Sequence, residues 1–372
     1  MSEGIENLVR IDMSRFSDYS AAKSPDVISR KTGIPEDKII KLDANENPYG
    51  CSPRVRKALA EYPYLNIYPD SNQTELREHL SKYAGLATEY LVAGNGSDEL
   101  IDLLLRIFLA PGDEAIINVP TFDMYRFSTE VCMGKPVNVL RKKNFEIDVA
   151  AIKAAVTKKT RIIFVTTPNN PTGTTASVED ILELVKLGVP LVVDEAYYEF
   201  SRQTVAPLVP QYSNLMVLRT FSKWAGIAGL RIGYGIFTPV LTDILIKVKP
   251  PYSINMAASV AAQESIKDAD YLIGTVRKMI EERSRLMEKL KRLDFLKPVP
   301  SQANFILCEV LRGDAKWFQD ELEKQGILIR YYNTQLLRNY FRVSVGKPEQ
   351  TDRIIEALGE LGRRCLDSRL DR

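Results

Sequence analysis

Four polar residues stand next to apolar, strand-like runs and carry the side chains needed for covalent and acid–base chemistry: Asn170, Asp194, Lys223 and Arg231. The neighbours of Lys223 are apolar, which favours its neutral, nucleophilic amine because a charged ammonium loses solvation there. A carboxylate or a guanidinium in a buried run is costly without a partner of opposite charge. An ordinary Asn-Pro turn accounts for Asn170 equally well, and a helix cap is the alternative for Asp194.

These groups match what pyridoxal 5′-phosphate (PLP) requires from a protein. An amine binds its aldehyde, an acid keeps its pyridine nitrogen charged, donors hold its phenolic oxygen and a cation holds its phosphate. The segment Gly94–Glu99 lies between a strand-like run and an apolar helix, where free backbone N–H groups suit a phosphate. It lacks the third glycine and the later acidic residue of a dinucleotide site. A cradle for a single phosphate is favoured, with a plain helix cap as the alternative.

The elements that must position these residues alternate between strands and helices. Near-continuous apolar runs predict buried strands of a parallel-rich sheet, covered by helices on both faces. These runs are 90–93, 114–119, 161–166, 190–194, 216–219 and 231–237. The best predicted core helix covers 99–109. Ligands bind such sheets at the carboxyl ends of the strands, which is where the polar residues stand.

The pattern changes after Pro250-Pro251. A long helical stretch follows at about 256–293, and then two strand patterns at 303–307 and 340–345. We therefore predict an α/β protein with a large domain at 45–255, built on a mostly parallel central sheet flanked by helices. A smaller α+β domain is predicted at 256–372, joined by an N-terminal arm at 1–44.

Composition narrows the chemistry further. The chain has 372 residues, a net charge of +2 and one histidine, His79. The charge balance offers no field for nucleic acid or an anionic membrane, and a single histidine almost excludes Ser-His-Asp and histidine–metal chemistry, so no metal site is expected. The four cysteines are far apart, and no signal peptide or membrane-spanning run is evident. These features predict a soluble cytoplasmic protein.

Short motifs in a fixed order carry a family resemblance. GNGSDE, PTF, PNNPTG, DEAY, SK and GLR together resemble the fold-type I PLP-dependent aminotransferases, over nearly the whole chain from about residue 38. Within them, segments 42–50, 66–69 and 249–255 are similar to those of the histidinol-phosphate aminotransferases. The resemblance implies transfer of the amino group of L-histidinol phosphate to 2-oxoglutarate, giving imidazole-acetol phosphate and glutamate, in histidine biosynthesis.

The resemblance also implies roles for individual residues. Lys223 would be catalytic, binding the PLP aldehyde and then moving the proton from the substrate Cα. Asp194 would pair with the pyridine nitrogen, Asn170 and Tyr197 would bond the phenolic oxygen, and Phe122 would stack on the ring. The phosphate would be held by Ser97, Asp98, Ser222 and Arg231, and by Tyr68 from the other subunit of a homodimer. The substrate would be bound by Arg330, Arg342, Tyr252 and Asn47.

One position departs from the family pattern, and other functions remain open. Histidinol-phosphate aminotransferases often have a Tyr after a Pro near the N-terminus to contact the substrate. Here Pro25 is followed by Asp26, and Tyr19 is the nearest alternative. An aromatic amino-acid aminotransferase and a phosphothreonine-type decarboxylase share the fold and remain alternatives. A ligand-sensing regulator is disfavoured because the short arm has no room for a DNA-binding module, and a nicotinamide dehydrogenase because the Rossmann fingerprint is missing.

Overall fold

A seven-stranded sheet with the order β2-β8-β7-β6-β5-β3-β4 forms the centre of the molecule. The structure is a computed structural model that describes Val9 and residues 23–370, with side chains as far as Cys365. The strands are β2 (Leu91–Gly94), β3 (Glu114–Val119), β4 (Lys135–Leu140), β5 (Thr160–Thr166), β6 (Leu191–Asp194), β7 (Leu215–Thr220) and β8 (Gly233–Ile236). Neighbouring strands are parallel except where β8 pairs antiparallel with β2 and β7.

Helices cover both faces of this sheet. They are α2 (Pro53–Glu61), α3 (Thr74–Ala84), α4 (Ser97–Phe108), α5 (Met124–Val131), α6 (Val149–Ala155), α7 (Val178–Val185), α8 (Tyr198–Ser201) and α9 (Pro239–Val248). On β6, Leu191 and Val193 belong to one hydrophobic cluster while Val192 belongs to the cluster on the opposite face. Successive side chains of a strand point to opposite faces, so a strand buried on both faces must be apolar throughout. The predicted α/β class with a mostly parallel sheet is confirmed.

The C-terminal part of the chain forms a second, antiparallel sheet in the order β12-β13-β10-β9. Its elements are α10 (Met256–Lys267), α11 (Ala269–Lys291), β9 (Leu296–Pro298), β10 (Phe305–Val310), α12 (Ala315–Lys324), β11 (Ile327–Leu328), β12 (Arg330–Tyr331), β13 (Tyr340–Ser344) and α13 (Pro348–Leu370). The N-terminal elements are α1 (Pro25–Thr32) and β1 (Ile40–Lys41), and β1 pairs in parallel with β11. The chain therefore crosses from this part of the molecule into the large sheet just after β1.

Two features of this region differ from the sequence expectation. The predicted long helix over 256–293 is two helices, because Asp268 leaves the helical conformation and both ends α10 and begins α11. Ala258 and Ala261 of α10 pack into the same hydrophobic cluster as Val193 of the large sheet. The domain boundaries at 44/45 and 255/256 stay predictions. In the described part of the chain, no helix combines the length and the apolar character needed to span a membrane.

Candidate active site

A cavity of about 1100 Å³ opens at the carboxyl ends of β3, β5, β6 and β7, between the large sheet and the C-terminal sheet. Most of the residues predicted from the sequence to bind cofactor or substrate line this one cavity. They are Ser97, Asp98, Phe122, Asn170, Asp194, Tyr197, Ser222, Lys223, Arg231, Arg330 and Arg342. Three of the predicted residues, Tyr68, Tyr252 and Asn47, do not line it.

Asp194 ends β6 at the floor of the cavity and is almost wholly buried. Its Oδ2 accepts a hydrogen bond from the Tyr125 hydroxyl at 2.6 Å, and its Oδ1 accepts one from the Ala196 N–H at 3.0 Å. Burial raises the pKa of Asp194 to about 6, against the opposing effect of these two donors. A cation at this position would stabilise the ionised carboxylate, as the sequence argument requires.

Lys223 lies on the loop that follows β7, and its Nζ donates to the backbone oxygen of Ala44 at 3.2 Å. Burial, followed by the nearby positive charge of Arg342, lowers the pKa of Lys223 to about 8. A larger fraction of this amine than of an ordinary lysine is therefore neutral near pH 7, in the form that attacks a carbonyl carbon and accepts a proton.

The Lys223 loop is held by close packing against the segment after β1. Gly226 has a φ of +67°, and a Cβ there would lie 2.3 Å from the backbone oxygen of Gly50, so no larger residue fits. Asn47 is buried and donates to the Trp224 carbonyl at 3.0 Å and to the Thr275 hydroxyl at 3.3 Å. The structure thus uses the Asn47 amide to hold the lysine loop and does not bring it to the cavity, where the sequence argument placed it.

The opposite end of the floor has the features of an anion site. Helix α4 begins at Ser97 with no side chain bonded to its first N–H groups, and Arg231 Nη2 lies 2.8 Å from Asp98 Oδ2. Gly96 has a φ of +77°, and a Cβ there would lie 2.7 Å from Arg231 Nη2. The Ser222 hydroxyl is buried nearby in the cavity wall. An uncapped helix N-terminus beside a guanidinium is a favourable place for a phosphate.

Arg231 itself corrects one expectation. The sequence argument placed it at the start of a buried strand, where it would need an anion to offset burial. In the structure β8 begins two residues later, and Arg231 precedes it in the left-handed conformation with a φ of 54°. Its side chain is 45% exposed and already paired with Asp98. Solvent access therefore stabilises this guanidinium before any ligand is considered.

Two arginines form the far wall of the cavity. The antiparallel register of β12 and β13 places Arg330 directly opposite Arg342. Arg342 is buried, and it donates to Asn170 Oδ1 at 2.5 Å and to the Asp43 carbonyl at 2.6 Å, while its Nε has no hydrogen-bond partner. Like charges opposite each other on neighbouring strands are unfavourable. An anion between them would remove this repulsion.

Residues 43–46 line the cavity between its floor and the far wall. The sequence argument gave these residues no role. Asn45 is buried with a φ of 55°, and its Nδ2 donates to the Tyr197 hydroxyl at 2.9 Å. Its backbone N–H and Oδ1 both bond Ser344, and its carbonyl accepts from Asn304. Since the Tyr197 hydroxyl accepts from Asn45, its own proton is left for a ligand oxygen. The sequence did contain a hint of this conformation, because Asn45 lies in the 42–50 segment and Asn tolerates the left-handed region of backbone conformation.

Tyr125 is the second residue that sequence reasoning missed. It lies on α5, three residues after Phe122, and its hydroxyl contacts the carboxylate of Asp194. Phe122 lies at the cavity and meets the Tyr125 ring edge-on, with the centroids 5.7 Å apart. The signal in the sequence was the helical spacing of two aromatic residues just after the β3 strand.

Two residues that were predicted to contact the cofactor or substrate, Tyr68 and Tyr252, lie away from the cavity. Tyr68 is 77% exposed and stacks on Tyr252, with the ring centroids 4.6 Å apart. Asp26 lies in the first turn of α1 and pairs with Arg30. Tyr19 lies outside the described residues. Among the described residues, Tyr68, Tyr252 and Asp26 do not line the cavity within this one chain.

Comparison with known proteins agrees with this geometry. Residues 37–358 match the family described as aminotransferase class I and II. The chain is 51% identical to a histidinol-phosphate aminotransferase of Dehalococcoides mccartyi, over 97% of this chain and 100% of that protein. It is 42% identical to the chloroplastic histidinol-phosphate aminotransferase 1 of Arabidopsis thaliana, over 95% of this chain and 85% of that protein.

Solved structures give the same result. The structure of histidinol-phosphate aminotransferase from Sinorhizobium meliloti, in complex with pyridoxal-5′-phosphate, superposes with a TM-score of 0.86 at 25% identity. The alignment covers 95% of this chain and 100% of that one. The cavity, the lysine and the buried aspartate are thus found in a chain that belongs to the class I and II aminotransferase family.

Proposed function

We propose that this protein is a PLP-dependent histidinol-phosphate aminotransferase. It exchanges the amino group between L-histidinol phosphate and 2-oxoglutarate, giving imidazole-acetol phosphate and glutamate, and so acts in histidine biosynthesis. Support comes from relatives of that name at 42–51% identity over nearly the full chain. The observation that carries the proposal is one cavity with Lys223 and Asp194 at its floor and two arginines on its far wall.

The residues of the floor fit PLP. The α4 N-terminus, with Ser222 and Arg231, would hold the phosphate, and Asp194 would pair with the pyridine nitrogen. Phe122 would lie against the ring, and Asn170 and Tyr197 would hold the phenolic oxygen. Gly96 has no side chain, which leaves the backbone between Arg231 and the α4 N-terminus open to a phosphate; a Cβ there would lie 2.7 Å from Arg231 Nη2.

The chain's own residues then divide the work of amino transfer. When bound, PLP draws electrons away from the Cα–H bond of the substrate through its charged ring. The Lys223 Nζ, neutral above its pKa of about 8, would take the proton from the substrate Cα and deliver it to C4′ of the cofactor. Asp194 keeps the ring nitrogen protonated. Arg330 and Arg342 bind the anionic end of each substrate, and bidentate guanidinium contacts suit both a phosphate and a carboxylate.

Two measurements test this function separately. The visible absorption spectrum of the purified protein with PLP tests the cofactor, and Lys223→Ala should lose the protein-bound band and the transamination. A colourless wild-type protein after PLP is added would contradict the cofactor proposal. A single-turnover panel of histidinol phosphate, phenylalanine, tyrosine and phosphothreonine tests the substrate. Faster reaction of the aromatic amino acids, or release of carbon dioxide from phosphothreonine, would contradict the substrate proposal alone.

We further propose that the protein is a homodimer in which Tyr68 reaches the phosphate in the other subunit's cavity. In support, Tyr68 is exposed, stacks on Tyr252, and lies beside the exposed apolar residues Leu65 and Ile67. Exposed aromatic and aliphatic side chains in one segment are typical of an interface. Tyr252 would reach the substrate phosphate from the same stacked pair. A cytoplasmic location is likewise our proposal.

A hybrid dimer tests the role of Tyr68. The variants Lys223→Ala and Tyr68→Phe are purified separately, mixed under conditions that exchange subunits, and assayed. If Tyr68 acts across the interface, one site of each hybrid combines an intact Lys223 with an intact Tyr68 from the other subunit, and activity rises above both parents. If Tyr68 acts within its own chain, no hybrid site is intact and the mixture shows no gain.

A further inference from the structure

The cavity wall behind Asp194 contains a chain of hydrogen-bonded hydroxyl groups that the roles given above do not use. It runs from Asp194 through Tyr125, Thr166 and Thr121 to Asn169. The distances along it are 2.6 Å from Asp194 Oδ2 to the Tyr125 hydroxyl and 2.9 Å from there to Thr166 Oγ1. They continue with 3.1 Å from Thr166 Oγ1 to Thr121 Oγ1 and 2.6 Å from there to Asn169 Oδ1.

Packing fixes the Tyr125 hydroxyl in this position. The Tyr125 ring is fully buried on α5 and stacks on Phe164 of β5, with the centroids 4.7 Å apart and the planes 15° from parallel. Its edge meets Phe122. The hydroxyl therefore cannot leave Asp194 unless the ring leaves the core, and this makes Tyr125 a rigid donor.

The far end of the chain fixes the direction of its last bond. The Asn169 Nδ2 donates to the Pro120 carbonyl at 3.0 Å and to Thr172 Oγ1 at 2.8 Å. Its Oδ1 therefore faces Thr121 and can only accept, so the Thr121 hydroxyl gives its single proton to Asn169.

Proton counting then assigns the remaining bonds. The three hydroxyl groups supply one proton each for the four contacts of the chain. An ionised carboxylate only accepts, so Tyr125 donates to Asp194, and the single proton of Thr166 goes either to Tyr125 or to Thr121. The shorter distance, 2.9 Å against 3.1 Å, favours donation to Tyr125. The contact without a proton is then Thr166 to Thr121, which at 3.1 Å is the longest of the four. The distances thus fit an ionised Asp194: the hydroxyl protons of Thr166 and Tyr125 point along the chain toward Asp194, and that of Thr121 points toward Asn169.

We propose that Tyr125 is a positioning residue for transamination, which holds Asp194 as an oriented carboxylate facing the pyridine nitrogen, and that Thr166 fixes the direction of its donor hydroxyl. A distance of 2.6 Å is typical of a hydroxyl bonded to a carboxylate. Because each oxygen of Asp194 has one protein donor, the carboxyl plane is fixed from both sides. This inference deepens the proposed function and rests on it.

The electrostatics around Asp194 support this role. Burial is the main cause that raises the pKa of Asp194, and Asp98 and Glu195 raise it further. The hydrogen bonds from Tyr125 and from the Ala196 N–H lower it. Without Tyr125 only the backbone donor would oppose these effects, and the carboxyl would be neutral over more of the pH range. Among the described residues, Tyr197 and Arg141 also interact electrostatically with this pair.

The first test uses the protein without cofactor or substrate. The infrared band of the protonated Asp194 carboxyl is titrated with pH and assigned by its absence in Asp194→Asn. Tyr125→Phe keeps the ring and removes only the hydroxyl, so we expect the midpoint to rise by about one pH unit. The matched control is Tyr234→Phe, which removes a buried hydroxyl that lies 3.4 Å from Arg219 and does not contact Asp194. The midpoint should stay in place in the control.

The second test measures how Tyr125 affects the affinity for PLP and the rate of transamination. In Tyr125→Phe the dissociation constant of PLP should rise about tenfold, and kcat should fall while the KM for histidinol phosphate is kept. Thr166→Val should raise the infrared midpoint of Asp194 by a smaller amount than Tyr125→Phe. If Tyr125→Phe does not fold, the result for Thr166→Val tests the proposal in its place. An unmoved midpoint in both variants, or an equal shift in Tyr234→Phe, overturns the proposal. Failure of the wild type to bind PLP would contradict the proposed function and leave the infrared result intact.

Discussion

The floor of the cavity and its far wall differ in where their residues come from along the chain. Asn170, Asp194 and Lys223 follow the neighbouring strands β5, β6 and β7 of one parallel sheet. The far wall consists of Arg330 and Arg342 of the C-terminal sheet, and residues 43–46 of the N-terminal segment lie between it and the floor. A floor held by one buried sheet suits a cofactor that stays bound, whereas a wall that belongs to a different sheet can adapt to two substrates of different shape.

The two regions are joined by the bond from Arg342 to Asn170 and by several bonds through residues 43–46. The backbone oxygen of Ala44 accepts from Lys223, and that of Asp43 accepts from Arg342. Asn45 contacts Tyr197 of the floor and Ser344 of the C-terminal sheet. If the floor serves the cofactor and the wall the substrate, substitutions in each should change different measured quantities, and substitutions in this segment should change both.

The largest effect is expected for Lys223→Ala in the floor. Loss of the Lys223 amine, which moves the proton in the proposed reaction, should lower single-turnover amino transfer by up to about 10⁴-fold. The variant should also release PLP on dialysis. The control is Lys135→Ala, an exposed lysine on the edge strand β4, which should retain full activity and cofactor content. Residual amino transfer within tenfold of wild type would show that another group carries the proton.

A large but selective effect is expected for Arg342→Lys in the wall. The guanidinium bonds Asn170 and Asp43 at once, and a single ammonium cannot reproduce both bonds together with a bidentate contact to the substrate. We expect kcat/KM for histidinol phosphate and for 2-oxoglutarate to fall about 100-fold. The dissociation constant of PLP should change by much less, because Asn170 is the floor residue that bonds Arg342. An equal loss of PLP affinity would show that floor and wall are not separable.

The floor could be predicted from the sequence because short-range pattern determines it. Asp194 ends one apolar strand and Lys223 lies on the loop after the next, and the parallel sheet brings such strand ends together. The wall depends on register between distant strands, which a single sequence does not specify. Arg330 and Arg342 were therefore identified by family resemblance, and their direct opposition appeared only in the β12–β13 pairing.

Other errors of sequence reading have local physical causes. Arg231 was expected to be buried because an apolar run follows it, but the strand begins two residues later and leaves the arginine exposed. Strand β4 was missed because Pro136 and Asn138 interrupt its apolar pattern on an edge strand. Asn45 has no sequence neighbour that reveals its contacts, since its partners are about 150 residues or more away along the chain.

A moderate effect on stability is expected for Asn45→Gly in the joining segment. Glycine keeps the φ of 55° without strain, so the variant reports the loss of the side-chain bonds to Tyr197 and Ser344. We expect the free energy of unfolding in urea to fall by about 1–3 kcal/mol. Asn45→Ala should lose about 1 kcal/mol more, because alanine is strained in this conformation. If the two variants unfold alike, backbone strain at this position is unimportant.

The smallest effect is expected on the pKa of Lys223 in the floor, which depends in part on the charge of Arg342 in the wall. The neutral amine reacts with the PLP aldehyde, so the rate of covalent PLP uptake by the apoprotein should rise with pH and level off above about pH 8. Uptake is measured by rapid borohydride trapping and intact mass, with Lys223→Ala as the blank. After burial, the positive charge of Arg342 is the next cause that lowers the pKa of Lys223.

Removing that charge should therefore raise the pKa of Lys223 and move the midpoint of uptake to higher pH in Arg342→Met. Arg342→Lys retains the charge and should keep the midpoint near that of the wild type, even though it loses catalytic efficiency. The pair of variants thus separates the hydrogen bonds of Arg342 from its charge. A midpoint that is the same in Arg342→Met and in the wild type would mean that burial alone sets the pKa of Lys223. The wall would then influence the floor through hydrogen bonds alone, namely the Arg342–Asn170 bond and the contacts of residues 43–46.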